Sequence, residues 1–182
     1  QEVTMGIAGF DDPQKRVISA MINGVRVVCV YIPNGESVTS AKYGYKLDWL
    51  KRLNACLKVE LEKYPRLALL GDYNIAPEDR DVHDPKLWQG KVLFSELEKE
   101  AFSGLVALGL CDSFRLFDQP EKSYSWWDYR TNGFKRGLGL RIDHILLSAE
   151  LAKYCKGCAI DYERRAHERP SDHAPVLIEV EV

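Results

Sequence analysis

The 182-residue chain has little net charge, few cysteines and no long apolar run. Lys and Arg number 25 and Asp and Glu 27, so the formal net charge is −2. A protein that binds nucleic acid through bulk positive charge would be basic throughout, so any polyanion contact must rest on a local basic patch or on metal ions. Five cysteines, an odd number without a dense framework, indicate free thiols in a reducing compartment.

No stretch of 18 apolar residues and no basic-then-apolar leader is visible, so we expect neither a membrane span nor a signal peptide and predict a cytoplasmic protein. The composition, 46% apolar and 29% charged, is that of a soluble globular protein. The length predicts one domain over residues 1–182. Because the chain starts with Gln1 rather than Met, we expect the natural N-terminus to lie upstream.

The first half of the sequence predicts a hairpin, two helices and a buried strand. Residues 15–22 and 25–32 flank Asn23-Gly24, a pair that favours a type I′ turn. Leucines recur at three- and four-residue steps from Leu47 to Leu61 and predict an amphipathic helix ending before Pro65. The apolar run 67–70 predicts a strand covered on both faces. Residues 75–91 are predicted to be an irregular loop, and Ser95 with Glu98 forms a capping box for a helix that Gly109 ends.

Strand-like runs dominate the second half. They cover residues 111–117, 124–129, 141–147, 157–162 and 175–182, with a short helix at 149–154. Many strands with a few covering helices indicate a layered α/β sandwich.

Three polar clusters follow apolar strands: Gly71-Asp72-Tyr73-Asn74, Arg141-Ile142-Asp143-His144 and Ser171-Asp172-His173-Ala174-Pro175. Any one cluster alone is more often a set of turn residues than a catalytic one. Together, three strands that end in carboxylates can place several oxygen ligands and one imidazole around a single cleft.

These clusters, with Ser123 to Arg130 (S-Y-S-W-W-D-Y-R) and Gly139 to Asp143 (G-L-R-I-D), resemble the successive signatures of exonuclease III. That family of apurinic/apyrimidinic endonucleases belongs to the endonuclease/exonuclease/phosphatase superfamily. The resemblance runs from about Gly9 to the end of the chain and implies a four-layered α/β sandwich, two mixed sheets flanked by helices. The family's early strands, one carrying an asparagine and one ending in a metal-binding glutamate, have no counterpart here, so the chain resembles the C-terminal two-thirds of such an enzyme.

The resemblance implies Mg²⁺-dependent hydrolysis of DNA phosphodiesters, with Mn²⁺ as an alternative metal. His173 would contact the scissile phosphate or help activate water, with Asp143 fixing its tautomer. Asp72 would be a general base or leaving-group acid, Asn74 would orient the nucleophile or phosphate, and Tyr31 would lie at the phosphate. Asp172, Asp72 and Asn74 would support the metal.

The resemblance also implies a DNA-binding surface on double-stranded DNA with abasic sites or 3′ ends. Alternation places Trp126 and Trp127 on opposite faces of the strand, one of which normally packs in the core. The tryptophan matching Trp126 or Trp127 would line the abasic pocket, and Trp126 is favoured. Asn34 would act next to Tyr31. A flexible basic loop would hold the phosphate backbone through Arg130, Lys135, Arg136 and Arg141. Of the four histidines only His173 is assigned a role; His144 is expected to pack, and His83 and His167 to be solvated.

Two alternatives remain. Another superfamily phosphodiesterase could act on RNA or phospholipid head groups with the same phosphate chemistry, although W-W-D-Y-R and the basic loop argue against it. The chain could instead be a noncatalytic DNA-binding fragment of a monomeric parent enzyme. In that case exposed apolar faces and strand edges would favour self-association.

Overall fold

The structure, a computed structural model, describes residues 2–182; Gln1, from which an upstream segment is expected, lies outside the described residues. The strands are β1 Thr4–Met5, β2 Val17–Ile22, β3 Val25–Tyr31, β4 Leu67–Asp72, β5 Leu110–Asp112, β6 Trp126–Trp127, β7 Gly139–Leu140, β8 Asp143–Ser148, β9 Cys155–Ile160 and β10 Val176–Val180. The helices are α1 Ala41–Lys63, α2 Pro85–Trp88, α3 Glu96–Val106, α4 Gly133–Arg136, α5 Ala149–Ala152 and α6 Tyr162–Ala166.

The central feature is a six-stranded mixed sheet in the order β1-β2-β3-β4-β8-β5. Strands β3 and β4 are parallel, whereas the other neighbours are antiparallel. The hairpin prediction is confirmed, because Asn23 and Gly24 have φ angles of 49° and 80°, as a type I′ turn requires. The sheet therefore brings the ends of β3 and β4 to one edge, next to the start of β8.

Helices α1 and α3 cover one face of this sheet and form the main core. The leucine repeat is confirmed, since Leu50, Leu53 and Leu57 are buried there against β3 and β4. The capping box at Ser95 and Glu98 is also confirmed, and Gly109 follows α3 with a φ of 94°. Within residues 2–182, no helix combines the length and the apolar character needed to cross a membrane.

The opposite face of the sheet is only partly covered. The antiparallel β9–β10 ribbon and α5 pack against β4 and β8. In the described residues this ribbon is the main counterpart of a second sheet. On the β1–β3 side, Met5, Ile18 and Cys29 share one row of the ladder and are exposed. The mixed α/β class, a multi-stranded sheet flanked by helices, is confirmed.

Two strand predictions and one loop prediction need correction. Residues 111–117 form a strand only through Asp112, whose side chain caps a 3₁₀ turn over Ser113–Leu116. Residues 124–129 form a strand only at Trp126–Trp127, because their backbone groups bond to separate loops. The irregular segment 75–91 contains α2, which Pro85 starts at a position where its missing N–H is not needed.

Candidate active site

Three predicted site residues lie in one row across the sheet. Tyr31 on β3 is in register with Asp72 on β4, which is in register with Asp143 on β8. Cross-strand partners project to the same face, so the phenol and the two carboxylates share one face of the sheet. Gly71 allows β4 to approach β3, because a Cβ there would lie 1.9 Å from the carbonyl oxygen of Val30.

His173 and Asp143 form a hydrogen-bonded pair. The Nδ1 atom of His173 lies 2.9 Å and 3.1 Å from the two carboxylate oxygens of Asp143. The Ser125 hydroxyl donates to the same carboxylate at 2.6 Å and accepts from the backbone N–H groups of Ile142 and Asp143. Asp143 is thus fixed from two sides and holds Nδ1, which leaves Nε2 of the imidazole for a ligand.

Asp72, Asn74 and Asn34 form a second bonded group. The backbone N–H of Asn74 donates to Asp72 Oδ1 at 2.8 Å, and its Nδ2 donates to Asp72 Oδ2 at 3.0 Å. The same Nδ2 donates to the Ile32 carbonyl, and Asn74 Oδ1 accepts from Asn34 Nδ2 at 2.8 Å. Asn74 adopts a φ of 50°, a conformation that Asn tolerates better than most residues.

The electrostatics of the site raise the pKa values of both Asp72 and His173. Burial, with the nearby charge of Asp143, raises the pKa of Asp72 to about 6. Burial alone would lower the pKa of His173, but the hydrogen bond to Asp143 and the charges of Asp143, Asp72 and Asp172 raise it above its ordinary value. Groups with such shifted pKa values are suited to proton transfer at neutral pH.

Asp72, Asp143 and His173 line one cleft of about 480 Å³. Ser171 and Arg164 also border this cleft, whose remaining wall is largely apolar. Residues that lie up to 101 positions apart in the sequence thus meet at one concave surface.

Trp126 and Asp172 adjoin His173, whereas Trp127 does not reach the cleft. The indole N–H of Trp126 donates to Asp172 Oδ2 at 2.9 Å, and the backbones of Trp126 and His173 form an isolated antiparallel β-bridge. Trp127 is 3% exposed and packs edge-on against Phe134. The assignment of Trp127 to DNA binding is therefore wrong, because its ring is in the core.

Arg141 is also wrongly assigned to DNA binding. Its side chain is 1% exposed and donates to Asp81 at 2.7 Å and to Asp112 at 2.8 Å. Burial alone would lower the pKa of Arg141, but these two carboxylates raise it above its ordinary value. Arg141 also bonds to His144 Nδ1 at 3.0 Å. The guanidinium is part of a buried network behind the site.

The basic segment after Trp127 is folded, which corrects the prediction of a flexible loop. A 3₁₀ turn over Tyr129–Thr131 leads into α4, and backbone bonds tie Gly133 to Asp128 and Leu138. Arg130 is 88% exposed, and Lys135 and Arg136 are exposed as well. All three side chains are exposed, although Arg130 pairs with Asp128 at 3.1 Å and Arg136 donates to the Thr131 carbonyl at 3.1 Å.

The other histidines lie away from the chemistry. His144 is buried between Tyr73 and Phe102, and burial together with the Arg141 charge lowers its pKa to about 3, so the expected packing role is confirmed. His167 is exposed as expected. The expectation for His83 is wrong, because it is half-buried and its Nδ1 lies 3.2 Å from the Gly139 carbonyl oxygen.

The described residues do not provide a complete metal site. No three His, Cys, Asp or Glu side chains in residues 2–182 come close enough to hold an ion. Both oxygens of Asp72 accept from Asn74, and Asp172 accepts from Trp126. The donors are oxygens, the type that Mg²⁺ and Mn²⁺ prefer, but further ligands would be needed.

Ser125 is the site residue that the sequence analysis missed. Besides its bond to Asp143, its carbonyl accepts from the N–H of Ala174 at 2.7 Å, directly after His173. One serine thus links both members of the imidazole–carboxylate pair. Ser125 lies within the S-Y-S-W-W segment, so the segment pointed to it, but its position in the sequence did not indicate a contact with Asp143.

Comparisons with known proteins identify the family of the chain. Residues 7–173 match the model of the endonuclease/exonuclease/phosphatase family. The chain is 38% identical over 181 residues to exodeoxyribonuclease III of Haemophilus influenzae, covering 93% of this chain and 68% of that protein.

Solved structures of two relatives superimpose along the whole chain. The 3′ phosphatase NExo from Neisseria, bound to a product DNA hairpin, has a TM-score of 0.97 and 46% identity, covering 100% of this chain and 71% of that one. An AP endonuclease from Archaeoglobus fulgidus has a TM-score of 0.94 and 35% identity, again covering 100% and 71%. The chain thus spans about two thirds of the length of these relatives. The chain belongs to the endonuclease/exonuclease/phosphatase family, in its exonuclease III branch of nucleases.

Proposed function

We propose that this chain carries the phosphodiester-hydrolysing site of a DNA-repair nuclease that trims 3′ ends and incises DNA 5′ to abasic sites. The observation that carries the proposal is the convergence of the His173–Asp143 pair on one cleft with Asp72, whose carboxyl is held by Asn74. Such a set can neutralise a phosphate, position a nucleophile and exchange a proton.

In this mechanism His173 binds a nonbridging phosphate oxygen. Its pKa is raised, which favours the protonated ring, and Asp143 orients it through Nδ1. Positive charge at a fixed position stabilises the anionic transition state without reorganisation at the moment of reaction. Tyr31, 52% exposed in the same row as Asp72, offers its hydroxyl to the same phosphate.

Asp72 is the proton-transfer group. A carboxyl with a pKa of about 6 can take a proton from water or give one to the departing 3′-oxygen. Asn74 holds both carboxylate oxygens of Asp72, and the Asn34 amide holds Asn74. These two asparagines therefore fix the direction in which the carboxyl points.

The proposed cofactor is Mg²⁺, with Mn²⁺ as a substitute. When bound, the ion would supply charge neutralisation at the phosphate oxygens. The oxygen atoms of Asp72, Asn74 and Asp172 are its candidate ligands in this chain. Because these residues form an incomplete set, we expect the isolated chain to bind Mg²⁺ weakly.

The proposed DNA contacts are Trp126 beside His173, Asn34 in the loop that follows β3, and the exposed cations Arg130, Lys135 and Arg136. An aromatic edge beside the phosphate suits a base-free sugar or a terminal nucleotide. The cations would supply salt-dependent backbone binding. The relative that is a 3′ phosphatase favours 3′-end processing as the dominant reaction of this site.

The test is cleavage of two labelled duplexes, one with an internal abasic site and one with a 3′-phosphate end, in Mg²⁺, in Mn²⁺ and in chelator. His173→Ala should lower turnover by about 10²- to 10⁴-fold with an unchanged circular dichroism spectrum. His167→Ala, at an exposed ring outside the cleft, is the matched control and should cleave like wild type. Equal cleavage by His173→Ala, or no wild-type cleavage with either metal, would remove the proposal.

The same assay separates the alternatives. Cleavage of RNA or a phospholipid head group in preference to both duplexes would favour another branch of the superfamily. Binding of duplex without cleavage would favour the alternative that the chain is a noncatalytic DNA-binding fragment. Equal loss in His173→Ala and His167→Ala would show that the change is not specific to the site.

A further inference from the structure

A fully buried lysine lies beneath the two site asparagines. Lys46 on α1 is 0% exposed, and its Nζ donates to the carbonyl oxygens of Asn34 at 3.2 Å and of Asn74 at 2.7 Å. Its third partner is the carboxylate of Glu98 on α3, which is also fully buried. The three ammonium protons therefore have three acceptors, two of them in the loops that follow β3 and β4.

Glu98 is held in place independently of the site. One carboxylate oxygen accepts from the Leu93 N–H at 3.1 Å, and the other accepts from the N–H and hydroxyl of Ser95 at 3.0 Å and 2.6 Å. The Ser95 hydroxyl also contacts the Tyr43 hydroxyl at 2.6 Å. The cap of α3 thus gives Lys46 a rigid anchor.

A buried ion pair is a poor way to stabilise a core. Desolvation of both charges offsets much of their attraction, so apolar residues of the same volume often stabilise a protein as well or better. Burial accordingly lowers the pKa of Lys46, although Glu98 opposes this effect. Apolar residues could not supply a donor that reaches the Asn34 and Asn74 carbonyl groups on neighbouring loops, as the Lys46 ammonium does.

We propose that Lys46 is a positioning residue of the active site, whose ammonium clamps the Asn34 and Asn74 carbonyls and so holds Asn74 against Asp72. The inference rests on the proposed function, in which Asn74 directs the Asp72 carboxyl. Among the site residues Lys46 donates hydrogen bonds to the two asparagines, and its charge also acts to lower the pKa of Asp72. It therefore governs site geometry and has no direct contact with substrate.

The experiment compares three variants of the full chain by ¹⁵N NMR. Lys46→Met removes the clamp, and Lys46→Met with Glu98→Gln removes it without leaving an unpaired buried charge. Arg26→Met is the matched control: Arg26 is 3% exposed and pairs at 2.8 Å with Glu60 of α1, but it lies at the start of β3, at the other end of the strand from Tyr31. The readouts are the side-chain amide resonances of Asn34 and Asn74 and hydrogen exchange at the Asn74 backbone N–H. The free energy of unfolding is measured for each variant, so that local changes can be separated from a loss of stability.

Both Lys46 variants should shift the asparagine side-chain resonances and speed exchange at the Asn74 N–H by about tenfold, the factor that follows from one weakened hydrogen bond. The double variant should do so even though it recovers stability relative to Lys46→Met. Arg26→Met should lose stability without these local changes. Wild-type-like asparagine signals in the double variant, or equal changes in Arg26→Met, would overturn the inference.

These readouts need no nuclease activity, so they decide the role of Lys46 even if the wild-type chain fails to cleave DNA and the proposed function falls. If wild type cleaves, the double variant should lower kcat by about tenfold with little change in KM, because positioning acts on the transition state. A change in KM alone would count against a positioning role.

Discussion

The raised pKa of Asp72 predicts that removing its charge stabilises the protein at alkaline pH. The pKa rises from 3.8 to about 6 on folding, mainly through burial. A rise of roughly 2 units corresponds to about 3 kcal/mol at about 1.4 kcal/mol per unit. Because the pKa of Asp72 is higher in the folded than in the unfolded state, protonation of Asp72 stabilises the folded state. This contribution to the unfolding free energy is fully present below about pH 4 and is lost as the pH rises through about 6.

Asp72→Asn avoids this loss, because an amide does not ionise. At pH 8 the gain should be up to about 3 kcal/mol, reduced by about 1 kcal/mol for each hydrogen bond from Asn74 that the amide cannot accept. The pH dependence is the sharper quantity, since hydrogen-bond losses cancel in it. The variant's advantage should grow by about 1.4 kcal/mol between pH 5 and pH 8.

Urea unfolding at the two pH values, with chelator present to exclude metal effects, measures this advantage. Asp118→Asn, at an exposed carboxyl, is the control and should change the unfolding free energy little at either pH. An advantage for Asp72→Asn that is equal at pH 5 and pH 8, or that shrinks as the pH rises, would refute the reasoning about the buried carboxyl.

Three further predictions concern burial, the imidazole and the open sheet face. Arg141→Met should lower the unfolding free energy by about 3–5 kcal/mol, because it removes the ion-pair partner of Asp112 and leaves the buried Asp81 with Arg115 alone. The exposed Arg136→Ala should change it by less than about 0.5 kcal/mol, and similar urea midpoints for the two would contradict the burial of Arg141. Asp143→Asn should lower the pKa of His173 in an NMR titration, and an unchanged pKa would mean that the carboxylate does not govern the ring. The exposed row that includes Ile18 should cause self-association, which Ile18→Lys reduces in sedimentation velocity; a monomeric wild type would argue against it.

Locally encoded features could be predicted from the sequence. Asn23-Gly24 specifies a turn through its own backbone preferences, and Ser95 with Glu98 caps α3 across three residues. The leucine repeat of α1 needs only helical periodicity and a core on one side. These signals depend on residues that are close in sequence, so no tertiary information is needed to interpret them.

Features set by distant partners could not be predicted. Arg141 resembles a DNA-binding cation in a basic segment, but Asp81, 60 positions earlier, and Asp112 bury it. Alternation divides Trp126 and Trp127 between two faces without showing which face is solvent-accessible. The packing of Phe134 and Tyr162 on Trp127 decides this.

The site itself was partly predictable. The prediction that carboxylates follow apolar strands is right for Asp72 at the end of β4 but wrong for Asp143, which starts β8. Because β8 is antiparallel to β4, sheet register still aligns Tyr31, Asp72 and Asp143. The contribution of Ser125 and the clamp by Lys46 were not visible, because each acts through contacts between segments far apart in sequence.

The central claim is that the His173 imidazole and the Asp72 carboxyl, which Asn74 holds, meet one DNA phosphate. Titration of the ¹³C,¹⁵N-labelled chain with a short duplex ending in a 3′-phosphate tests this claim most directly. The account predicts that the His173 ring and the Asn74 side-chain amide shift together along one saturating curve, while the exposed His167 ring stays in place. Shifts that follow separate curves, or a change at His167 without one at His173, would contradict it.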